Sequence, residues 1–153
     1  MVRVEQYDSL EQGLGSVLLD VEQRFKNADY TKLFKKWIDT VLPEAHAGYF
    51  SNRSSPGGEK WAPLKPLTVA KKGHSTILED TLAMKNSVTG KTGDSVRSAT
   101  HRGLLFGTSD HKAIFHTTGT ARMAKREFVG MDEKRVDALC NEVADATVEQ
   151  LKL

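Results

Sequence analysis

The sequence predicts an α+β fold, and three patterns along the chain support that class. Apolar residues recur at helical spacing near both ends, short segments bounded by glycines fill the middle, and most prolines lie between these regions. A length of 153 residues is that of one domain, 1–153. The predicted elements are an N-terminal helical pair (8–50), a proline-rich extended loop arm (51–76), an antiparallel sheet of three to four strands (86–118) and a C-terminal helix packed on the sheet (132–152).

Two apolar stripes predict the N-terminal helical pair. The first helix opens at Asp8 or Ser9, ends near residue 27, and has the stripe Leu10, Leu14, Val17, Val21 and Phe25. The second stripe is wider than one core contact requires, and it consists of Leu33, Phe34, Trp37, Ile38, Val41 and Leu42. Part of this helix, Trp37 included, is therefore expected to face a partner. Pro43 lacks an amide proton, so the helix must kink or end near Leu42.

The segment from Ser51 to Ser75 predicts a long loop, because three of the four prolines fall in it. Such a length is uncommon in a compact domain unless the loop is a binding arm or becomes ordered on assembly. We expect it to be mobile in the free subunit. Trp61 in its middle is either an interface anchor or a side chain that pins the loop to its own core, and the sequence leaves both open.

Short apolar segments separated by glycine-containing turns predict the antiparallel sheet. They centre on Val88, on Val96, on Leu104 with Phe106, and on Ile114 with Phe115. Asp132 is then expected to cap the last helix. One apolar face of that helix comprises Val136, Leu139, Cys140, Val143, Thr147 and Leu151. Acidic residues lie off this face, so the helix is predicted to be amphipathic and acidic outside.

Charge is distributed unevenly along the chain, although the net charge is only +2. Residues 65–126 contain 11 basic and 4 acidic side chains, whereas residues 127–153 contain 3 and 7. A basic middle is typical of a surface that faces nucleic acid or phosphate. It equally fits a head-to-tail contact between copies, with the basic part of one meeting the acidic helix of the next, or an ordinary solvated surface.

Patterns for catalysis, cofactors and metals are weak. The stretch Gly90-Lys91-Thr92 lacks the glycine five positions earlier that a phosphate-binding loop needs. The five histidines include no helical His-x-x-x-His pair, and a single cysteine excludes a multi-thiolate zinc site. Cys140 is expected to be a small buried hydrophobe. We therefore expect no enzymatic activity, no cofactor and no metal, and a metal-dependent hydrolase is the weakest alternative.

The apolar runs are too short for a membrane span, which needs about 20 residues. Val17-Leu18-Leu19 is among the longest of them, and charged residues occupy the N-terminal region where a signal peptide would be apolar. The sequence therefore predicts a chain without membrane contact that matures in a cytoplasm.

Several motifs occur in an order that carries further information. After the predicted helical pair comes Tyr49-Phe50, followed by a Pro-x-Gly-x-x-Trp-type loop. The motifs in chain order are Pro56-Gly57-Gly58-Glu59-Lys60-Trp61, Ile77-Leu78, Leu82 through Ser87, Gly107-Thr108, Ala113-Ile114-Phe115-His116 with Gly119, and Arg126-Glu127-Phe128-Val129-Gly130. In order and spacing, over roughly residues 10–132, this resembles the phage virion morphogenesis family, the tail-completion or head-to-tail joining proteins of Mu-like tailed phages.

The resemblance implies a structural virion protein of the neck, at the head-proximal end of the tail, that is assembled in the host cytoplasm. It implies a homo-oligomeric ring, with six-fold symmetry expected, which contacts head-connector proteins and tail-terminator or tube proteins. The basic segment would then lie beside DNA passing through the channel and contact it non-specifically. The alternative is a nucleic-acid-binding accessory protein that uses residues 65–126.

Six residues are candidates for a role in this assembly. Arg126 is expected to meet the acidic face of a last helix, its own or a neighbour's, and Phe128 to pack beneath the start of that helix. The interface candidates are Trp37, Trp61, His116, Arg122 and Arg126, with Phe128 as a packing residue.

Overall fold

A computed structural model describes residues 5–90 and 92–151, with side chains described from residue 15 onward. It has mixed helix and sheet, as the sequence predicts. The elements are α1 (Glu5–Asn27), α2 (Thr31–Lys36), a π-helical turn (Trp37–Val41), α3 (Leu42–Asn52), α4 (Pro66–Lys72), α5 (Ala83–Thr89), β1 (Ser95–Ala99), β2 (Leu104–Thr108), α6 (Lys112–Thr118) and α7 (Glu133–Leu151). Within the described residues, no helix has both the length and the apolar content to cross a bilayer.

The second predicted helix continues through Pro43 instead of ending there. Pro43 lies in the first turn of α3, and the π-helical turn directly precedes it. The wider π turn accommodates a proline that offers no amide proton to the preceding turn. As a result, Tyr49 and Phe50 lie buried inside α3, which ends where Arg53 adopts a left-handed conformation (φ 52°).

The sheet has two strands in the described residues, so the prediction of three to four strands is wrong. β1 and β2 pair antiparallel, with Ser95 opposite Thr108. The predicted strand around Val88 is helix α5. The segment with Ile114 and Phe115 is helix α6, because the Asp110 carboxylate accepts a hydrogen bond from the Lys112 amide at 2.9 Å and starts a helical turn.

Two apolar clusters make up the core. The first comprises Phe50, Trp61, Ile77, Leu78, Val88, Ala113 and Phe128. The second comprises Trp37, Ile38 and Leu42, with Leu139 of α7 and Leu104 of β2 packed against them. The last helix therefore shares a cluster with the sheet through Leu139.

Polar contacts hold α7 against the N-terminal helices. Its Asp132 cap is as predicted, since a carboxylate oxygen accepts a hydrogen bond from the Arg135 amide at 2.9 Å. The Tyr30 and Thr147 hydroxyls are 2.7 Å apart, and the Arg24 guanidinium donates to the Leu151 carbonyl at 3.0 Å. These contacts orient α7 so that its opposite side faces solvent.

Helix α1 has an apolar stripe that the rest of the chain leaves largely uncovered. Val17 and Phe25, both members of the predicted stripe, are more than half exposed, as are Leu18 and Leu19. The Leu10 and Leu14 side chains lie outside the described part. Since the described stripe is mostly solvent-facing, it is not a core contact of the single chain.

Candidate functional site

A cavity of about 350 Å³ opens on the side of the molecule formed by α4, residues 78–84, α6 and residues 122–126. This volume lies in the usual range for ligand clefts. Its lining includes apolar side chains and two carboxylates, those of Asp80 and Asp110. Five cationic side chains also line it: Lys65, Lys72, Lys112, Arg122 and Arg126. We refer to it as the cationic cavity.

Arg126 belongs to the wall of the cationic cavity and is 6% exposed. Its Nε donates to the Ala62 carbonyl at 2.9 Å, and an Nη2 hydrogen goes to the Pro63 carbonyl at 3.0 Å. The guanidinium is thus a clamp between two distant segments of one chain. This corrects the expectation that Arg126 meets an acidic helix, because its partners are backbone oxygens of the proline-rich segment.

His116 lies on the α6 side of the cavity, one helical turn after Lys112. The sequence predicts this segment as part of the sheet, and the structure instead places His116 half-buried on a helix. Its Nδ1 is buried and has no hydrogen-bond partner among the described residues. Burial lowers the pKa of this imidazole, and the nearby Arg126 charge lowers it further. Both effects favour the neutral form of the His116 ring, and its Nδ1 is a buried polar atom without a partner in the described residues at the cavity.

Three of the cations that line the cavity, Lys65, Lys72 and Arg126, bind backbone oxygens instead of carboxylates. Lys65 Nζ donates to the Arg122 carbonyl at 3.2 Å, and Lys72 Nζ donates to the Thr76 carbonyl at 2.9 Å. Across the described ranges, none of the five lining cations forms an ion pair with a carboxylate. The positive charge of the cavity is therefore not neutralised locally by ion pairing.

Two leucines that line the cavity have strained backbones. Leu78 has φ 59° and Leu82 has φ 60°, a left-handed conformation that costs about 1–2 kcal/mol for a residue with a Cβ. Such strain is found where the surrounding structure fixes a segment, and it clusters at binding sites. The strained backbone of Leu78 and Leu82 lies in the wall of the cationic cavity.

The two tryptophans are core residues, which corrects their expected place at a subunit interface. Trp37 is 1% exposed, and its indole Nε1 donates to the Glu142 carboxylate at 3.1 Å. Trp61 is 6% exposed and packs against Phe50, with ring centroids 5.4 Å apart. Both rings pack inside the single chain because burying their large apolar surfaces in the core is more favourable than leaving them exposed to water.

The proline-rich segment is packed against the domain instead of projecting as an extended arm. It contains helix α4, and Ser54 forms an antiparallel bridge with Lys60. Trp61 in this segment is buried, and so is the predicted packing residue Phe128. The ring centroids of Phe128 and Phe50 are 5.8 Å apart. The segment thus forms one wall of the core and, through Lys65 and Lys72, one wall of the cationic cavity.

The solvent side of α7 is a second unusual surface. It carries four carboxylates without an ion pair in the described chain: Glu133, Asp137, Asp145 and Glu149. Val136 and Val148 are exposed beside them. Cys140 is also exposed, which corrects its expected burial, because α7 buries a narrower stripe than the sequence pattern suggests.

Three residues of the cavity wall, His116, Arg122 and Arg126, are among the interface candidates from the sequence, whereas the lining cations Lys65, Lys72 and Lys112 are not. The excess of basic residues in 65–126 was the available signal, but spacing along the chain does not show which cations converge. Arg122 is exposed at the cavity and remains an interface candidate.

Comparison of the chain with family models, with curated proteins and with solved structures finds no match.

Proposed function

We propose that this chain is a structural virion protein of a tailed phage that joins head and tail by assembling into a ring at the neck. The observation that carries the proposal is the uncovered apolar stripe of α1. An order of motifs that resembles the head-to-tail joining proteins supports the same function. The chain would be built into the virion in the host cytoplasm, between head-connector and tail-terminator or tube proteins.

The stripe of α1 has the properties of an assembly surface. Leu18 is 68% exposed and Phe25 is 54% exposed, on the same side of the helix. Ion pairs within the helix, Arg24–Asp20 and Lys26–Glu22, support its helical form without a neighbour. Contiguous exposed apolar surface of this kind marks a site of protein contact. A neighbouring subunit in the ring would cover it.

Ring formation follows from contacts between unlike surfaces. When one surface of a copy binds a different surface of the next copy, the assembly closes into a ring if the rotation per step closes. We propose six copies per ring. A joining protein of this kind needs surfaces for neighbours and no catalytic groups.

Disrupting the gene in a phage that carries it tests the function. Electron microscopy of the lysate is expected to show filled heads and finished tails that are not joined, and expression of the intact chain in trans should restore joined particles. Quantitative mass spectrometry of purified particles should count six copies per virion. Joined particles without the chain, or one or two copies per virion, would contradict the proposal.

The cationic cavity favours one second candidate, a nucleic-acid-binding accessory protein. Its five cations have no carboxylate partners in the described residues, and two of them, Lys112 and Arg122, are exposed and have no hydrogen bond from the side chain there, so they can meet phosphates. This candidate would be favoured if the isolated chain binds duplex DNA and that binding weakens steeply with salt. The binding should also be lost in Lys112→Glu/Arg122→Glu. We rank it second because a cavity of about 350 Å³ admits side chains or one phosphate but not a duplex.

A further inference from the structure

We propose that the cationic cavity is a docking site for the acidic solvent side of α7 from a second copy of this chain. The inference deepens the proposed ring and rests on it for its biological role. Each copy would then present two unlike surfaces, a cavity and a helix, and the contact between them would repeat from copy to copy.

Both surfaces have charges that the single chain leaves unpaired. The cavity wall contributes five cations against two carboxylates, and the Asp110 carboxylate is already bonded to the start of α6. The solvent side of α7 contributes Glu133, Asp137, Asp145 and Glu149, with no ion pair in the described chain. Because opposite charges are uncompensated on two surfaces of one chain, a second copy supplies the complement of each.

The two surfaces belong to different parts of the same molecule. Contacts to Tyr30, Trp37 and Arg24 fix the inner side of α7 on the N-terminal helices. The cavity is lined by α4, residues 78–84, α6 and residues 122–126, and no residue of α7 is in its wall. The helix of one copy therefore meets the cavity of another, which is the geometry of a head-to-tail contact.

Besides the charges, apolar and polar groups of the cavity complement those on the solvent side of α7. Leu82 is 44% exposed at the cavity, and on α7 Val136 is 41% and Val148 53% exposed beside the carboxylates. Inside, Arg126 uses Nε and one Nη2 hydrogen internally and keeps further N–H donors, and His116 Nδ1 has no partner in the described chain. A carboxylate side chain that enters the cavity would use these groups and be flanked by apolar contact.

Complementary charge reversals in the full-length chain test the contact. A cavity variant, Lys112→Glu/Arg122→Glu, changes two exposed side chains, and a helix variant, Glu133→Lys/Asp137→Lys, changes two exposed carboxylates. Sedimentation velocity at low ionic strength is expected to show concentration-dependent oligomers for the wild type and monomers for either variant. Mixed together, the two variants are expected to associate again, since the cavity variant keeps its acidic helix and the helix variant keeps its cationic cavity.

Control variants each carry one charge reversal of the same kind at a residue outside both surfaces. Lys32→Glu and Glu59→Lys change exposed residues and should leave self-association unchanged. Thermal melting of every variant shows that the fold is retained. The exposed Cys140 adds a second readout: Thr68→Cys/Cys140→Ser, mixed with wild-type chain and exposed to oxygen as the oxidant, should form a disulfide between Cys140 of one and the new thiol of the other.

Three results would overturn the proposal. One is a wild-type chain that stays monomeric at about 1 mM, a concentration that half-populates even a weak contact. Another is variants that associate like wild type, and the third is a cavity variant that loses only duplex DNA binding. The ring function fails separately, because joined particles without the chain would refute that function even if the two mixed variants associate.

Discussion

The Trp61 indole Nε1 donates a hydrogen bond to the Glu127 carbonyl at 2.8 Å, across 66 positions of sequence. The neighbouring Arg126 binds back to the Ala62 and Pro63 carbonyls, so three hydrogen bonds join the two segments. In the proline-rich segment, the Trp61 ring also packs edge-on against the Phe50 ring. The proline-rich segment is therefore fixed to the chain before the last helix, and the same junction forms a wall of the cationic cavity.

Trp61→Ala is expected to destabilise the isolated chain by about 3–5 kcal/mol, because it empties a large buried volume in the first core cluster. Trp61→Phe should lose less, since it keeps most of the packing and removes the hydrogen bond to Glu127. Chemical denaturation measures both. Leu67→Ala, at a residue 86% exposed in the same segment, is the control and should change stability little. A Trp61→Ala chain with wild-type stability would show that the indole is not a core residue.

Arg126→Gln should destabilise the fold by about 2–4 kcal/mol, since it removes charge-assisted bonds to two carbonyls that are then left without donors. Arg126→Glu should be worse, because it places a carboxylate against those oxygens. Thermal melting of the monomer is the measurement. The exposed Arg122→Gln is the matched control and should melt like wild type. Arg126→Glu that folds normally would rule out the internal clamp.

Stability is expected to fall as the pH drops below about 6.5, because of two histidines. Burial lowers the pKa of His46 and of His116 below the ordinary value of 6.5. As the pH falls, these histidines are therefore protonated at a higher pH in the unfolded chain than in the folded one. Each unit by which folding lowers a pKa reduces the free energy of unfolding at low pH by about 1.4 kcal/mol. The stability is fully present above pH 6.5 and is lost toward the folded-state pKa. Urea titrations between pH 8 and 5 measure the effect.

The His46 contribution can be separated by variants. Its Nδ1 lies 2.6 Å from the Leu42 carbonyl and its Nε2 accepts from the Gly130 amide at 3.3 Å, so the ring fits as the neutral Nδ1–H form. His46→Gln should flatten the pH dependence and lower stability at pH 8. His111→Gln, at a side chain 83% exposed, should leave the profile unchanged. An unaltered slope in His46→Gln would assign the pH dependence to other groups.

Leu18→Lys/Phe25→Lys should leave the free energy of unfolding of the monomer within about 0.5 kcal/mol, since both side chains are exposed. Head-to-tail joining in the complementation experiment should fail, because the charges would lie in the proposed subunit contact. The matched control is Glu59→Lys, which adds the same two units of positive charge at an exposed residue outside α1. A double variant that loses monomer stability would place the stripe in the core.

The periodic ends of the chain and one hairpin were predictable from local pattern. Asp132 caps α7 as predicted, and strands form around Val96 and Leu104. The sequence could not separate helix from strand around Val88 and Ile114, because an apolar run of a few residues fits either period. Both segments are helices, because the turn that starts at Asp110 and packing against the core favour helix over strand.

By itself, the sequence determined the α+β class, the two terminal helices and the division into basic and acidic parts, since all three depend on composition and local spacing. Tertiary structure alone decided that Trp61 and Arg126 are internal, and that Lys65, Lys72 and Arg122 converge on one cavity. The physical reason is that burial and charge convergence depend on contacts between segments dozens of residues apart, which no local period records.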